Sequence, residues 1–452
     1  MGPDNGLTPE TLRPALEALM SRAKHYGAET ADAIATHGRS QRLVARGGKF
    51  EDMDNSEGRD IGLRVMIGRR QACVSSSDLS DTSLDKLAER AVAMAGLAPE
   101  DPYCGLADPE LLATDTPELD LFDSTEVTPE TLLERARAVE SATLSIKGVM
   151  QAEGSSASAS TSTLFFMTSH GFARGWRNSH HGLSGLALAM QDETMERDYD
   201  FESAHFLEDL SAPDIIGRTA GERAIARLGA RKLPSGHMPV MFDKRVSGSL
   251  LSTLPGAIHG RAIGRGTSFL KDAMGKRIFG AHINVIDDPL MRRGHASRPW
   301  DGEGVRVRET RLVKDGILQT WLLDSSAARQ LKLQPTGHAA RGVGAPPGIS
   351  SSNTYMVPGD KTPQTLMEDM GEGLLITEMF GPSLNSNTGD YSVGVTGFKI
   401  EKGEIAYAVN EITVAGNLKE IYRTIIPAND LVFDGATVAP SLLVEGLTVA
   451  GI

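Results

Sequence analysis

The side chains of this chain that could hold a metal or attack a bond are few and scattered. Eleven histidines and two cysteines are spread over 452 residues, and no histidine is followed by a glutamate. A hydrolytic zinc site needs three protein ligands, an open position for water and a carboxylate to handle the proton. His180-His181 is the densest pair. Adjacent side chains on a strand point to opposite faces, so the two cannot grip one ion well. The polar run from Arg177 to Gly182 predicts a solvated surface for them instead. His237, His282 and His295 stand isolated and read as structural.

Other chemistries fare no better. No Gly-x-Ser-x-Gly elbow occurs, and the serine runs Ser155 to Ser162 and Ser350 to Ser352 have loop or strand-edge composition. Gly342-Val343-Gly344 runs into Ala-Pro-Pro-Gly, and proline forbids the helix that a dinucleotide fingerprint must open. Gly371-Glu372-Gly373 lacks the third glycine, and no Walker lysine is present. Cys73 and Cys104 are too few for a disulfide framework; Cys73 sits in an alternating pattern and reads as a small buried hydrophobe.

The elements that must position any site are legible from their punctuation. Thr128-Pro129-Glu130 opens a helix with a cap, a proline at the first helical position and an acid in the first turn, and Gly148 ends it. Ser80 or Asp81 caps another that runs to Gly96. Thr8-Pro9-Glu10 starts a third, with Pro14 implying a kink or a later start, and a fourth spans Pro213 to Leu228. Strand pairs are predicted over Gly62 to Val74 and over Leu164 to Met190, turning at Ser169-His170-Gly171. The Ser155 to Ser162 run is expected as a loop or edge strand.

Arg231 to Gly236 reads as a linker, dividing the chain into residues 1–232 and 233–452. Beyond it, Met238 to Phe242 is a predicted strand and Arg245 to Leu254 a predicted helix stopped near Pro255. Hairpins follow, Val305 to Leu323 around Asp315-Gly316 and Val393 to Val409 around Gly403, with period-two alternation and a glycine for the turn. The fold class is therefore α+β: an N-terminal mixed helix/sheet domain, then a C-terminal antiparallel β-rich domain curled towards a barrel.

Composition excludes several partners. Apolar residues make up 40% and charged residues 23%, as in ordinary globular domains. A formal net charge of -13 repels phosphate backbones, so direct nucleic-acid binding is not expected. The opening MGPDNGLTPE has no basic region followed by an apolar core, and no apolar run is long enough to span a bilayer. With two cysteines and no export signal, the cytoplasm is the expected location.

The polar stretch Asn387-Thr388-Gly389-Asp390 leads into the Val393 to Val409 hairpin, and that string resembles the TldD/PmbA family of metallopeptidase-complex proteins. Asp301-Gly302-Glu303-Gly304 with Arg306 to Leu323, Asp324 to Arg329, Pro335-Thr336-Gly337, Ser352-Asn353-Thr354-Tyr355 and the closing Ala439-Pro440-Ser441-Leu442 resemble its other signatures. Gly62-Leu63-Arg64-Val65 with Asp78-Leu79-Ser80 is a weaker echo. The chain looks like the PmbA branch, also called TldE.

The resemblance carries definite implications. The catalytic TldD branch has a helical His-Glu-x-x-x-His motif that, with a later cysteine, binds zinc. Counting back from Arg265-Gly266-Thr267-Ser268, those positions fall at Leu251, Ser252 and Gly256, and no cysteine lies between Asn429 and Ser441. His259, three residues further on, reads as a helix-end histidine facing solvent or a partner. The resemblance thus implies a metal-free, non-catalytic subunit whose TldD-type partner supplies zinc. It further implies action on unfolded peptides, in proteolysis or leader-peptide removal. Contacts to such a peptide are expected from Asn385, Asn387, Thr388, Gly389, Asp390 and Ser392, against the alternative that this loop is a turn shaping the hairpin. A homodimer, a binding-only protein and an autonomous hydrolase are the other readings.

Overall fold

In the computed structural model, which describes residues 7–192 and 194–452, two sheet systems stand side by side. The opening residues 1–6, read above for an export signal, lie outside the described part. The N-terminal half runs α1 (Arg13–Tyr26), β1 (Thr30–Arg46), β2 (Lys49–Ile67), β3 (Arg70–Ser76), α2 (Asp81–Leu97), α3 (Pro129–Leu144), β4 (Val149–Thr168), β5 (Ala173–Gln191), β6 (Thr194–Ala204) and α4 (Pro213–Ala226). Its strands form one sheet in the order β3-β2-β1-β4-β5-β6, antiparallel throughout.

The predicted caps do what their chemistry suggests: Ser80 accepts from Ser83 N and Thr128 from Thr131 N. At the N-terminus a short 3₁₀ turn over Pro9–Thr11 precedes α1, so the helix starts later and Pro14 falls in its first turn, where no amide is needed.

The helices lie on one face of this sheet. Leu16, Leu19, Leu84 and Leu87 of α1 and α2 cover Ala33, Ala35 and Leu63, while Leu132, Ala136 and Val139 of α3 cover Leu43, Ala157 and Ala159. Residues 33, 35 and 43 of β1 share a parity and hence a face. The Ser155 to Ser162 run, expected as a loop or edge, is interior: β4 pairs with β1 on one side and β5 on the other. Small alternating side chains make this possible. Ala157 and Ala159 let α3 lie close, and Ser156 and Ser184 hydroxyls meet across the strands at 2.8 Å.

The C-terminal half begins with β7 (Gly236–Phe242), α5 (Lys244–Leu251), α6 (Thr253–Ala257) and α7 (Gly260–Arg265). It continues through β8 (Val285–Asp287), β9 (Thr310–Lys314), β10 (Ile317–Leu318), α8 (Ser325–Leu331), β11 (Ala339–Ala340), β12 (Gly348–Ile349), β13 (Thr354–Met356) and α9 (Pro363–Met370). It ends with β14 (Gly373–Leu384), β15 (Asp390–Glu401), β16 (Glu404–Asn417), α10 (Leu418–Thr424), β17 (Ile426–Pro427), β18 (Thr437–Val438) and β19 (Leu442–Ala450). The order β16-β15-β14-β7-β19, with β16 also pairing β19, closes a five-stranded barrel. Val240, Phe242, Ile376, Val395, Val414 and Val444 belong to its common core.

One departure from the antiparallel expectation is the β14–β7 pair, which is parallel. Parallel neighbours require a crossover, and here the whole segment between Phe242 and Gly373 supplies it. The hairpin expected over Val305 to Leu323 is shorter, with Ile317 and Leu318 pairing Lys314 and Val313.

Two of the quoted motifs converge on a buried carboxylate in this crossover. Asp287 accepts from Ser352 N (2.7 Å), Ser352 Oγ (2.6 Å), Thr354 Oγ1 (2.7 Å) and His338 Nε2 (3.2 Å). His338 Nδ1 meets Thr336 Oγ1 at 2.8 Å. Burial opposes ionisation of Asp287, yet the bonds from His338, Ser352 and Thr354 hold it below the usual carboxylate range.

The free face of the first sheet packs on the C-terminal half. Ile34 and Phe166 meet Trp300 and Val305 there. Asp32, fully buried, accepts from Arg64 Nε at 2.5 Å and from Arg341 Nε at 3.1 Å. The backbones come so close that a Cβ on Gly62 would lie 1.9 Å from Val343 O. A second seam joins Asp198 of β6 to Arg245 (2.7 Å) and Arg227 (3.4 Å), with Arg227 reaching Glu378 of β14 at 2.5 Å.

The histidines correct the solvated reading. His181 is 3% exposed and 3.4 Å from Asp123. His180, on the opposite face, stacks on His205 with ring centroids 4.5 Å apart, and His205 lies 6.5 Å from the supposedly isolated His295. His205 has both ring nitrogens facing carbonyl oxygens, Ser179 O at 2.7 Å and Gly294 O at 3.1 Å.

Two stability predictions follow from the packing. Asp32→Ala leaves two buried guanidiniums without their shared carboxylate and should lower unfolding free energy by about 3–5 kcal/mol in urea titrations. Burial, then the neighbouring His205 and His295 rings, pushes His180 down to about 4; burial, then His205, also lowers His295. The unfolded chain therefore takes up protons first, so stability is full above about pH 6.5 and falls as pH drops towards 4. His180→Asn should shallow that slope in denaturation curves recorded across the same range.

Candidate functional site

The helix that resembles the zinc-bearing one is formed by α5 and α6, interrupted at Ser252. Asp243 caps it through Arg245 N, and it runs past Pro255 to Ala257 rather than stopping there. The three positions at issue diverge. Leu251 is 2% exposed and belongs to the barrel core. Ser252 is exposed and its hydroxyl donates to Ser249 O at 2.7 Å. Gly256 is exposed, with open space where a Cβ would be. An alkyl group, an engaged hydroxyl and a hydrogen are not ligands for Zn²⁺, so these residues do not fit the ion. Among the described residues no group of three His, Cys, Asp or Glu side chains is placed to hold a metal.

His259 sits at the start of α7 and caps it: its Nδ1 accepts from Arg261 N at 3.3 Å, and the ring is half-buried. Burial, and next the Arg261 charge, lowers its pKa.

The polar loop before the hairpin lies close to this helix, joined to it by short links. Ser268 Oγ donates to Ala257 O at the helix end (2.5 Å), and the next residue, Phe269, donates its amide to Ser386 O (2.7 Å). Thr253 Oγ1 meets Tyr422 Oη at 2.6 Å, and the Tyr422 ring lies 6.3 Å from Phe269. The Arg265 to Ser268 segment thus ties helix and loop together. Sequence reading used it only for counting, and nothing in its composition signals the bond to Ser386.

Within the loop most polar side chains are engaged locally. Asn385 Oδ1 accepts from Asn387 N (3.1 Å), and Thr388 Oγ1 donates to Asp390 Oδ2 (2.6 Å). Asn417, just before α10, donates its Nδ2 to Thr388 O (3.2 Å) and Asp390 Oδ1 (2.9 Å). Bonds from Thr388 and then Asn417 hold the Asp390 carboxyl below its usual range. Gly389 is buried at φ 88°, where its Cβ position would meet the Phe269 ring at 3.3 Å, so glycine is required there. Asn387 is exposed, and Ser392 is half-buried within β15 opposite Ser383.

The loop tops a hairpin with an open edge that sequence reading missed. β14 pairs with β7 over Leu374 to Ile376, whereas its pairing with β15 continues to Leu384. From Met379 onward one side of β14 has no strand partner among the described residues. Phe380 and Leu384 on this edge are 49% and 39% exposed. Free backbone amides and carbonyls on an edge can pair with an extended chain whatever its sequence.

Comparison with known proteins gives this geometry its context. Three family models match: PmbA/TldA metallopeptidase domain 1 over residues 31–95, the central domain over 122–228 and the C-terminal domain over 235–451. Metalloprotease PmbA of Escherichia coli O157:H7 is 36% identical over 446 residues, 98% of this chain and 96% of that protein. A Haemophilus influenzae PmbA homolog is 30% identical over the same shares of both chains. A Bacteroides thetaiotaomicron crystal structure described as a modulator of DNA gyrase superposes with a TM-score of 0.90 at 25% identity, covering 98% of this chain and 99% of that one. TldE of Thermococcus kodakarensis shares the fold, with a TM-score of 0.84 at 19% identity over 97% of this chain and 100% of that one. The chain belongs to the PmbA/TldD metallopeptidase family.

Proposed function

We propose that this member of the PmbA/TldD family is the TldE-type subunit of a cytoplasmic peptidase pair, and that a TldD-type partner supplies the zinc and the general base. The observation that carries this reading is the helix over residues 244–257, which offers Leu251, Ser252 and Gly256 where the catalytic branch is expected to present ligands and base. This chain's own share is to hold substrate. The open edge of β14 takes an unfolded peptide as an added strand, its register set by backbone hydrogen bonds, with Phe380 and Leu384 as apolar contacts. The adjoining loop shapes the end of that groove: Asn387 faces the peptide, while Asn385, Thr388 and Asp390 keep the hairpin tip rigid.

Several features support the rest of the reading. A net charge of -13 disfavours direct association with nucleic acid, so the gyrase-related wording attached to a structural relative does not transfer to DNA binding by this chain. No helix among the described residues is long and apolar enough to cross a membrane. In the absence of its partner, a surface shaped for a related chain can accept its own copy, which makes a homodimer the resting form.

The test is cleavage of an unstructured peptide by purified proteins. Hydrolysis by the mixture of this chain with a zinc-bearing TldD-type partner, and by neither alone, is the expected result. Hydrolysis by this chain alone, undiminished by a chelator, would overturn the proposal.

A further inference from the structure

A cavity of about 280 Å³ opens between β2 and β3 of the first sheet and α7 and α8 of the C-terminal half. Its lining is built from both signs of charge. Arg64 is buried, its side chain 4% exposed; it bonds Asp32 through Nε and is also attracted by the Glu303 carboxylate. Arg265, exposed in the lining, has no carboxylate in ion-pair contact among the described residues, whereas Arg261 is paired with Asp324 at 2.7 Å. On the acidic side, Glu303 Oε2 accepts from Ser325 N at 2.8 Å, and the buried Gln71 Oε1 has no hydrogen-bond donor.

A buried acceptor without a donor is costly unless something completes it, and the wall around it sets the cations Arg64, Arg261 and Arg265 against the carboxylates Asp101, Glu303 and Asp324. A simple anion such as phosphate would satisfy Arg64 and Arg265 but face the carboxylates of Glu303 and Asp324. A simple cation would meet the reverse conflict. A ligand with a carboxylate at one end and an ammonium at the other matches both halves of the wall. We infer that this seam cavity is a binding site for a small zwitterion of the α-amino acid class, a dipeptide with free termini: its carboxylate on Arg64 and Arg265, its ammonium on Gln71 Oε1 and the Glu303 carboxylate.

This goes beyond the helper role and is tested without a partner or any cleavage, so failure of either idea leaves the other standing. Isothermal titration calorimetry and thermal melts on the full chain would use L-alanyl-L-alanine, its N-acetyl form, its C-terminal amide and inorganic phosphate. Saturable binding of the free dipeptide is expected, with each capped form weaker by about tenfold or more and phosphate not competing. Arg265→Ala, an exposed site, should leave the melting temperature of the free protein unchanged, weaken the dipeptide and reduce the penalty for amidation. Gln71→Leu should reduce the penalty for acetylation. No binding at millimolar dipeptide would overturn the assignment. So would equal binding of free and capped forms, phosphate binding in competition, or an Arg265→Ala variant that distinguishes acid from amide as sharply as the unaltered chain.

Discussion

The carboxylate of Asp32 sits between Arg64, its partner across the first sheet, and Arg341, which arrives from the C-terminal half. All three are almost wholly buried, with side-chain exposures of 0%, 4% and 1%. Charges so placed are tolerated as a set, because desolvation is offset by their short mutual bonds, with help from the Glu303 charge near Arg64 and from the Gly342 and Ala345 carbonyls that Arg341 donates to. The contact fixes how the two halves meet. Gly62, whose missing side chain admits the Val343 carbonyl, lies two residues from Arg64 on the same strand. The seam cavity, with β2 and β3 on one side and α7 and α8 on the other, includes Arg64 of this clasp in its wall.

From that seam the structure passes to the barrel through α7. Its N-terminus is capped by His259, and the segment after it carries the Ser268 and Phe269 bonds that fasten the polar loop to the end of α6. Helix and loop are therefore joined by direct hydrogen bonds. The Tyr422 ring, stacked on Phe279 at 4.4 Å and bonded to Thr253, closes the underside. Where a related helix would carry metal ligands, this one uses the same turn for packing: Leu251 points into the barrel, and Ser252 and Gly256 face solvent.

Local chemistry was legible in the sequence wherever a residue acts on its neighbours. Ser80 and Thr128 cap the helices that they announce, Gly403 turns the β15–β16 hairpin, and the alternating runs of the last third do close into a barrel. Contacts between distant residues were not legible. Arg341 and Asp32 are 309 positions apart, and no pattern in either neighbourhood names the other. His180, His205 and His295 assemble from three segments, so a search for adjacent histidines sees only His180-His181. The serine run of β4 misled because small polar residues suit a loop, yet they equally suit an interior strand crossed closely by a helix. The parallel β14–β7 pair was hidden for the same reason as the open edge of β14, since both depend on where a long crossover returns.

The account turns on whether the helix over residues 244–257 holds a catalytic ion. The most direct measurement is the zinc content of the purified chain, by mass spectrometry of the element after exchange into metal-free buffer. The account predicts far less than one zinc per chain, unchanged when zinc is offered and then dialysed away. One zinc per chain, retained through dialysis and lost only to a strong chelator, would contradict it.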